Sequence, residues 1–279
     1  MKIVVTGAEG GLGRAFLTRV PPQHEVHSLS HEQLDIGDHR AVMDRIPPLS
    51  PDVVVNVAAM TNVDACESDP ELAYRANALG PHNLALAVRS CGSALLHVST
   101  DYVFDGEKGG PYDELDAPNP LSVYARSKLG GEVLVREVLP EHFVVRTGYV
   151  FGGGRDYLSK AVTRMEAGEP AGGLADRVGS PTYVVNLAER LLPLIGTGRF
   201  GTYHLAGSEP ATWFDVLTRV RFLAGLPVSV ERQTADELNL PAPRPRFSTL
   251  TSLFVHELGI DPMPPLDVAL KEFLDGRSG

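Results

Sequence analysis

Tyr124 and Lys128 stand four residues apart in YARSK (124–128), a spacing that puts both side chains on one face of a helix. A phenol beside an ammonium is a proton-transfer pair. A free tyrosine titrates at about 10, too high for ready exchange near neutrality. A neighbouring ammonium favours the phenolate and lowers that value. Upstream, STDYVFDG (99–106) follows the apolar run LLHV (95–98), so hydroxyls and carboxylates crowd the end of what reads as a buried strand. Carbonyl reduction asks for this set: a proton donor within reach of the new alkoxide and a hydroxyl to hold the oxygen. Thr100 is the first candidate for that hydroxyl and Ser99 the alternative.

A hydride donor needs a seat, and Gly7-Ala8-Glu9-Gly10-Gly11-Leu12-Gly13 has the form of one. This GxxGxxG string lies between a strand and a helix, the context a dinucleotide site requires. Gly7 permits the turn, Gly10 and Gly11 with Leu12 let backbone approach a pyrophosphate at the helix start, and Gly13 lets helix and strand pack closely. The second strand ends in Ser28-Leu29-Ser30-His31, without the acidic residue that would grip the ribose 2′-hydroxyl of NAD. Arg14, Ser30 or His31 would tolerate a 2′-phosphate, which favours NADPH, with NADH the alternative. Asp35 and Ile36 are placed to flank the adenine, and a helix cap is the other role open to Asp35.

The elements that must carry these residues are legible as alternating strands and helices. Strands are predicted at 2–6, 25–29, 52–57, 94–99, 143–147 and 202–205. Helices are predicted at 11–20, 38–46, 70–90, 121–138 and 184–195. The run DVVVNV (52–57) is apolar on both faces, as in a covered parallel strand. This is the doubly wound α/β class with right-handed crossovers, Rossmann-like, with a smaller C-terminal lobe. Residues 1–148 plus about 184–206 would form the dinucleotide-binding part, and about 149–183 with 207–279 the substrate-binding lobe.

The 279 residues are 43 % hydrophobic and carry a formal charge of −10, enough apolar mass for a substantial core and a poor surface for nucleic acid or anionic membranes. Anionic ligands must therefore be held by backbone N–H groups or by chosen arginines. No apolar run approaches the ~20 residues that span a bilayer, and MKIVVTGAEGG turns glycine-rich before a signal-peptide apolar region develops. Cys66 and Cys91 form no metal or disulfide pattern and read as reduced thiols of a cytoplasmic protein. The nine histidines show no metal spacing, and no metal is expected. His97 reads as structural, on a buried strand, and Trp213 as the anchor of a helix in the core.

GxxGxxG with YxxxK resembles the extended short-chain dehydrogenase/reductases. Longer strings resemble one branch, the dTDP-4-dehydrorhamnose reductases: LDIGD (34–38), PDVVVNVAAMTNVDACESDPELAYRAN (51–77), HVSTDYVFDG (97–106), NPLSVYARSK (119–128), LADRVGSPTY (174–183) and TYHLAGS (202–208). The resemblance implies reduction of the 4-keto group of dTDP-4-dehydro-6-deoxy-L-mannose to dTDP-L-rhamnose. It makes Tyr124 the proton donor, Lys128 the holder of the nicotinamide ribose and Thr100 the ligand of the sugar carbonyl. Ala58, Ala59 and Met60, with Ser99, would line the cofactor, and Thr61 would face the site. A homodimer is also implied. Asp101 is the candidate sugar ligand of the strand end, although turn formation suits both Asp101 and Asp105. Arg155, Arg177, Arg244 and Arg246 are candidates for the substrate pyrophosphate, since a guanidinium matches a phosphate fork. Arg244, in PRPR (243–246), is the first choice.

The chain departs from the branch on the substrate side. Thr147-Gly148-Tyr149-Val150-Phe151 replaces Thr-Ser-Trp-Val-Tyr, so Tyr149 stands for the tryptophan that packs on the sugar. Asp156-Tyr157 replaces Asn-Phe, Arg177 a glutamine, and Met60 an aromatic residue or histidine. Gly148 and Tyr149 leave open a ketoreductase or epimerase acting on another nucleotide deoxysugar, and the resemblance leaves open a non-catalytic NADP-binding regulatory subunit, since relatives of that kind share this scaffold.

Overall fold

The computed structural model describes residues 1–278. Along the chain come β1 (Lys2–Thr6), α1 (Gly11–Leu17), β2 (Glu25–Leu29), α2 (His39–Arg45) and β3 (Val53–Asn56). Two short helices, α3 (Val63–Ser68) and α4 (Pro70–Tyr74), lead into α5 (Gly80–Ser90), β4 (Ala94–Thr100), α6 (Val123–Val138) and β5 (His142–Thr147). Then follow β6 (Val150–Phe151), α7 (Tyr157–Glu166), β7 (Ala171–Leu174), β8 (Val178–Gly179), β9 (Thr182–Tyr183), α8 (Val184–Gly196) and β10 (Gly201–His204). The last part holds β11 (Ala211–Thr212), α9 (Trp213–Leu223), β12 (Val230–Gln233), α10 (Ala235–Leu238) and α11 (Leu266–Ser278).

Six strands form one sheet in the order β10-β5-β4-β3-β1-β2, and every neighbouring pair is parallel. Successive side chains point to opposite faces, so each apolar run feeds two cores. Val5, Val55 and Leu96 pack under α1 and α8 with Phe16, Leu187 and Leu191. Val4, Val54 and Leu95 pack under α2, α5 and α6 with Val42, Leu84 and Val135. The fold is therefore doubly wound and Rossmann-like. The chain passes from β1 outward to β2, then crosses back to β3 on the other side of β1. Such a switch point opens a crevice at the carboxyl ends of the strands, where ligands bind in this architecture.

A further core gathers Leu158, Val162 and Met165 of α7, Val216 and Val220 of α9, and Leu270 and Phe273 of α11. α7 corrects the sequence reading, which placed no helix between 152 and 168. Its signals were local: Asp156 caps it by accepting from the Ser159 N–H at 2.9 Å, and Leu158, Ala161, Val162 and Met165 share one buried face.

The helix expected over 70–90 is instead α4, a π-helical turn at Arg75–Leu79, and α5. Pro81 explains the slip. It has no N–H to offer the Asn77 carbonyl, and the Gly80 N–H reaches back five residues to Arg75. The widened turn aims Asn77 at the loop after β3. There its side chain accepts from the Met60 N–H at 2.9 Å and donates to the Met60 carbonyl at 3.0 Å.

Candidate active site

The glycine turn has no room for side chains. Gly7 is left-handed at φ +74°, and a Cβ there would lie 2.6 Å from the Ala58 nitrogen. A Cβ on Gly13 would lie 2.4 Å from the Gly7 carbonyl oxygen, and one on Gly11 2.6 Å from the Gly153 Cα. α1 follows Gly10 with no side-chain cap, which leaves its first N–H groups to an external acceptor. This cradle of bare backbone beside uncapped N–H groups fits a dinucleotide pyrophosphate. Asn56 braces it, accepting from the Thr6 hydroxyl at 2.8 Å and the Ala58 N–H at 3.1 Å.

From the cradle a cleft of about 570 Å³ runs along the carboxyl edge of the sheet. Gly10, Gly11, Leu12 and Gly13 line one end, and Ser99, Thr100, Asp101, Tyr124 and Lys128 line the middle with Ala59 and Thr61. β4 delivers the hydroxyls. Ser122 caps α6 by accepting from the Ala125 N–H at 3.2 Å, so α6 begins one residue before Tyr124 and places Tyr124 and Lys128 on the wall facing β4. The Lys128 ammonium is buried and donates to the Val98 carbonyl at 2.6 Å. Burial lowers its pKa to about 8, with the Glu132 carboxylate opposing the fall.

Tyr124 differs from the sequence expectation. Burial drives its phenol pKa well above the ordinary value, and the Thr100 side chain, as a hydrogen-bonding neighbour, pulls it only partly back. The Lys128 Nζ is turned to the Val98 carbonyl, and the lysine is not among the groups that pull the phenol down. The proton therefore rests on the phenol at neutral pH.

Asp101 is 2 % exposed. Its carboxylate accepts from the Ser248 hydroxyl at 2.5 Å and the Thr100 hydroxyl at 3.1 Å. Gly148 is glycine for a steric reason: a Cβ there would lie 2.7 Å from the Asp101 carboxyl carbon. Burial pushes the Asp101 carboxyl up to about 7, against the pull of those two hydroxyls. An acid with a raised folded pKa binds its proton more tightly in the folded state. Its contribution to stability is thus full below the unfolded value of about 3.9 and is lost as pH rises toward 7. Asp101→Asn should remove that decline, gaining on the wild type by about 2–3 kcal/mol between roughly pH 5 and pH 8, at about 1.36 kcal/mol per pKa unit. Urea unfolding at the two pH values measures it, and an equal decline in both proteins contradicts it.

The far end of the cleft is aromatic. Tyr149, at φ +45°, stacks on Trp213 with ring centroids 4.8 Å apart and planes 1° from parallel. Tyr157 also packs against Trp213, tilted by 57° with centroids 5.0 Å apart. Trp213 opens α9 behind the capping box of Thr212 and Asp215. It is not a plain core anchor: it packs at the rim of the C-terminal core and also walls the cleft. The sequence carries no signal for this stacking, which joins residues far apart in the chain.

Other candidates lie off the cleft wall. Ala58 abuts Gly7, and Met60 is gripped by Asn77 through its backbone. Arg14 donates to the Gly153 carbonyl at 2.8 Å, bridging the two glycine loops. Ser30 caps the turn after β2, where its hydroxyl accepts from the Gln33 N–H at 3.3 Å. Ile36 is buried against Gly80, and Asp35 pairs with Arg75 and accepts from the Gly37 N–H; Asp38 caps α2 instead. Arg244 does not line the cleft: Asp64 holds its guanidinium at 3.0 and 2.8 Å, near enough for its charge to act on Tyr102 and Tyr149 of the cleft wall. Arg177 pairs with Asp176 at 2.8 Å, whereas Arg155 is exposed on the cleft wall. Asp105 serves its turn, accepting from Tyr112 and Asn119. His97 is fully buried beside Asn56. Among the described residues no group of three His, Cys, Asp or Glu side chains could hold a metal, and no helix is long and apolar enough to cross a membrane.

Comparison with known proteins places this geometry. Residues 1–278 match the family described as RmlD substrate binding domain. The dTDP-4-dehydrorhamnose reductase of Streptomyces griseus is 39 % identical over 289 aligned residues, covering 99 % of this chain and 95 % of that protein. Among solved structures, a dTDP-4-dehydrorhamnose reductase, the RfbD ortholog of Clostridium acetobutylicum ATCC 824, superposes with a TM-score of 0.96 at 36 % identity, covering all of both chains. The dTDP-4-dehydrorhamnose reductase of Bacillus anthracis str. Ames in complex with NADP gives 0.95 at 31 % identity, covering 99 % of each. With the match running from end to end and the glycine cradle, hydroxyl, phenol and lysine meeting in one cleft, the chain belongs to the RmlD substrate-binding-domain family, the dTDP-4-dehydrorhamnose reductases of the extended short-chain dehydrogenase/reductase class.

Proposed function

We propose that this protein uses NADPH to reduce the 4-keto group of dTDP-4-dehydro-6-deoxy-L-mannose, giving dTDP-L-rhamnose. The observation that carries the reading is the meeting of Thr100, Tyr124 and Lys128 on the wall of the cleft that begins at the glycine cradle. NADPH, when bound, supplies the hydride. Gly7, Gly10, Gly11, Leu12 and Gly13 would hold its pyrophosphate, Ala58, Ala59 and Met60 its flank, and Lys128 its nicotinamide ribose. Thr100 Oγ1 would hold the C4 oxygen of the sugar by turning its O–H from the Asp101 carboxylate to that oxygen. Tyr124 Oη gives its proton to that oxygen as negative charge develops there. Its high pKa in the free cleft keeps the donor loaded. The positive charge at Lys128 Nζ then favours the phenolate left behind.

The lobe built from about 149–183 and 207–279 would receive the nucleotide sugar, and 1–148 with about 184–206 the dinucleotide. Tyr149 and Trp213 give the sugar nucleotide an aromatic wall, while Arg155, rather than Arg244, is free for its diphosphate. Gly148 and this wall also favour a second reading, in which the sugar is another 4-keto deoxyhexose. Purified protein incubated with NADPH and freshly made dTDP-4-dehydro-6-deoxy-L-mannose should consume cofactor and yield dTDP-L-rhamnose. Absence of NADPH oxidation overturns the reading, and faster turnover of a different 4-keto nucleotide sugar favours the second.

A further inference from the structure

Glu132 lies one helical turn beyond Lys128 and two beyond Tyr124, so the three side chains share one face of α6. It is a carboxylate with no exposure to solvent. The Ser99 hydroxyl donates to it at 2.5 Å. Arg146 grips it with Nε at 3.0 Å and Nη2 at 2.7 Å, and Arg136 adds a contact at 3.1 Å. Ser99 and Arg146 are register partners on β4 and β5. Ser99 and Lys128 both line the cleft, and Glu132, off that lining, holds the Ser99 hydroxyl. A buried carboxylate is costly unless paired. The Arg146 pair meets that need, yet this carboxylate also reaches forward to a hydroxyl on the cleft wall.

We propose that Glu132 is a positioning residue for the reduction: it anchors the cleft floor through Ser99 and Arg146 and is the counter-charge of Lys128. The proposal rests on the assignment of Lys128 to the nicotinamide ribose. Glu132 on the same helix and His97 on β4 interact with the Lys128 charge; Asp101 and Tyr102 in the turn after β4 and Cys66 on α3 lie around Tyr124, and Arg146 and Arg136 lie around the carboxylate. Burial holds His97 neutral, and it raises the phenols and the Cys66 thiol. Glu132 is the group whose charge raises the Lys128 pKa. Asp101, raised to about 7, titrates close to Lys128, so the profiles are measured in an Asp101→Asn background that leaves the lysine to set the alkaline limb.

The test measures NADPH affinity by fluorescence, and kcat/KM with the keto sugar, as functions of pH. In Glu132→Gln the alkaline midpoint of both should fall by about one pH unit, and Glu132→Asp should restore it. Glu132→Gln also strands the buried Arg146, so Glu132→Gln/Arg146→Met provides a second variant with neither charge; its alkaline midpoint should fall by less than that of Glu132→Gln, because losing the Arg146 cation favours the lysine's charge. A purely structural tie between α6 and β5 would lower the melting temperature and the amplitude while leaving the midpoint at its wild-type value, and that result overturns the proposal. Failure of the wild type to turn over the keto sugar would instead remove the substrate assignment, with the NADPH-affinity arm still deciding the role of Glu132.

Discussion

Tyr124→Phe should lower kcat for the keto sugar by about 10²–10⁴-fold, the usual worth of a positioned general acid, while the NADPH dissociation constant stays nearly unchanged. The substitution deletes one oxygen from a half-buried ring that keeps its edge-on contact with Tyr102, whose centroid is 6.1 Å away. Packing is thus preserved, and only the proton source at the C4 oxygen is lost. kcat and kcat/KM should fall together, as for an interaction made only in the transition state. Steady-state kinetics with a parallel NADPH titration measures this. An unchanged kcat would remove Tyr124 from the chemistry, whereas no turnover by the wild type itself, with NADPH still bound, would favour the regulatory-subunit reading.

Gly13→Val should weaken NADPH binding by about ten- to a hundredfold. The new Cβ would lie 2.4 Å from the Gly7 carbonyl oxygen and 2.8 Å from the Ala8 Cα. Both are backbone atoms of the cradle itself, so no flexible side chain can yield. Overpacking of this kind costs about 1–3 kcal/mol, and each 1.4 kcal/mol is about tenfold in affinity. The collision lies in the turn, where Ala8 meets the core under α1 and α8, so the cost should fall on the phosphate seat, and a melting temperature measured alongside separates any loss of stability. Fluorescence titration of the folded variant reads it, and wild-type affinity would show that the cofactor is seated elsewhere.

The frame of the molecule was legible because its signals are local. Val53, Val54 and Val55 are all buried, which an unbroken apolar run announces. Tyr124 and Lys128 share a helix face because four residues separate them. Glu132 continues the same spacing and could have been found that way. The rest depends on long-range meetings that composition and periodicity do not encode. Arg244 is claimed by Asp64 from the other half of the chain, and Trp213 reaches the cleft only because α9 folds back onto Tyr149. The direction of the Tyr124 shift was missed for a related reason. Spacing shows that an ammonium is near, but not that it donates to Val98 while the phenol is buried.

The account stands most directly on where the reacting carbon lies. A crystal of the protein with NADP and dTDP-L-rhamnose should place the sugar C4 oxygen within about 3.2 Å of the Tyr124 Oη, the reach a general acid needs, with C4 facing the nicotinamide ring. A sugar whose C4 points away from Tyr124, or a nicotinamide bound outside the cleft between Lys128 and Thr100, would contradict it.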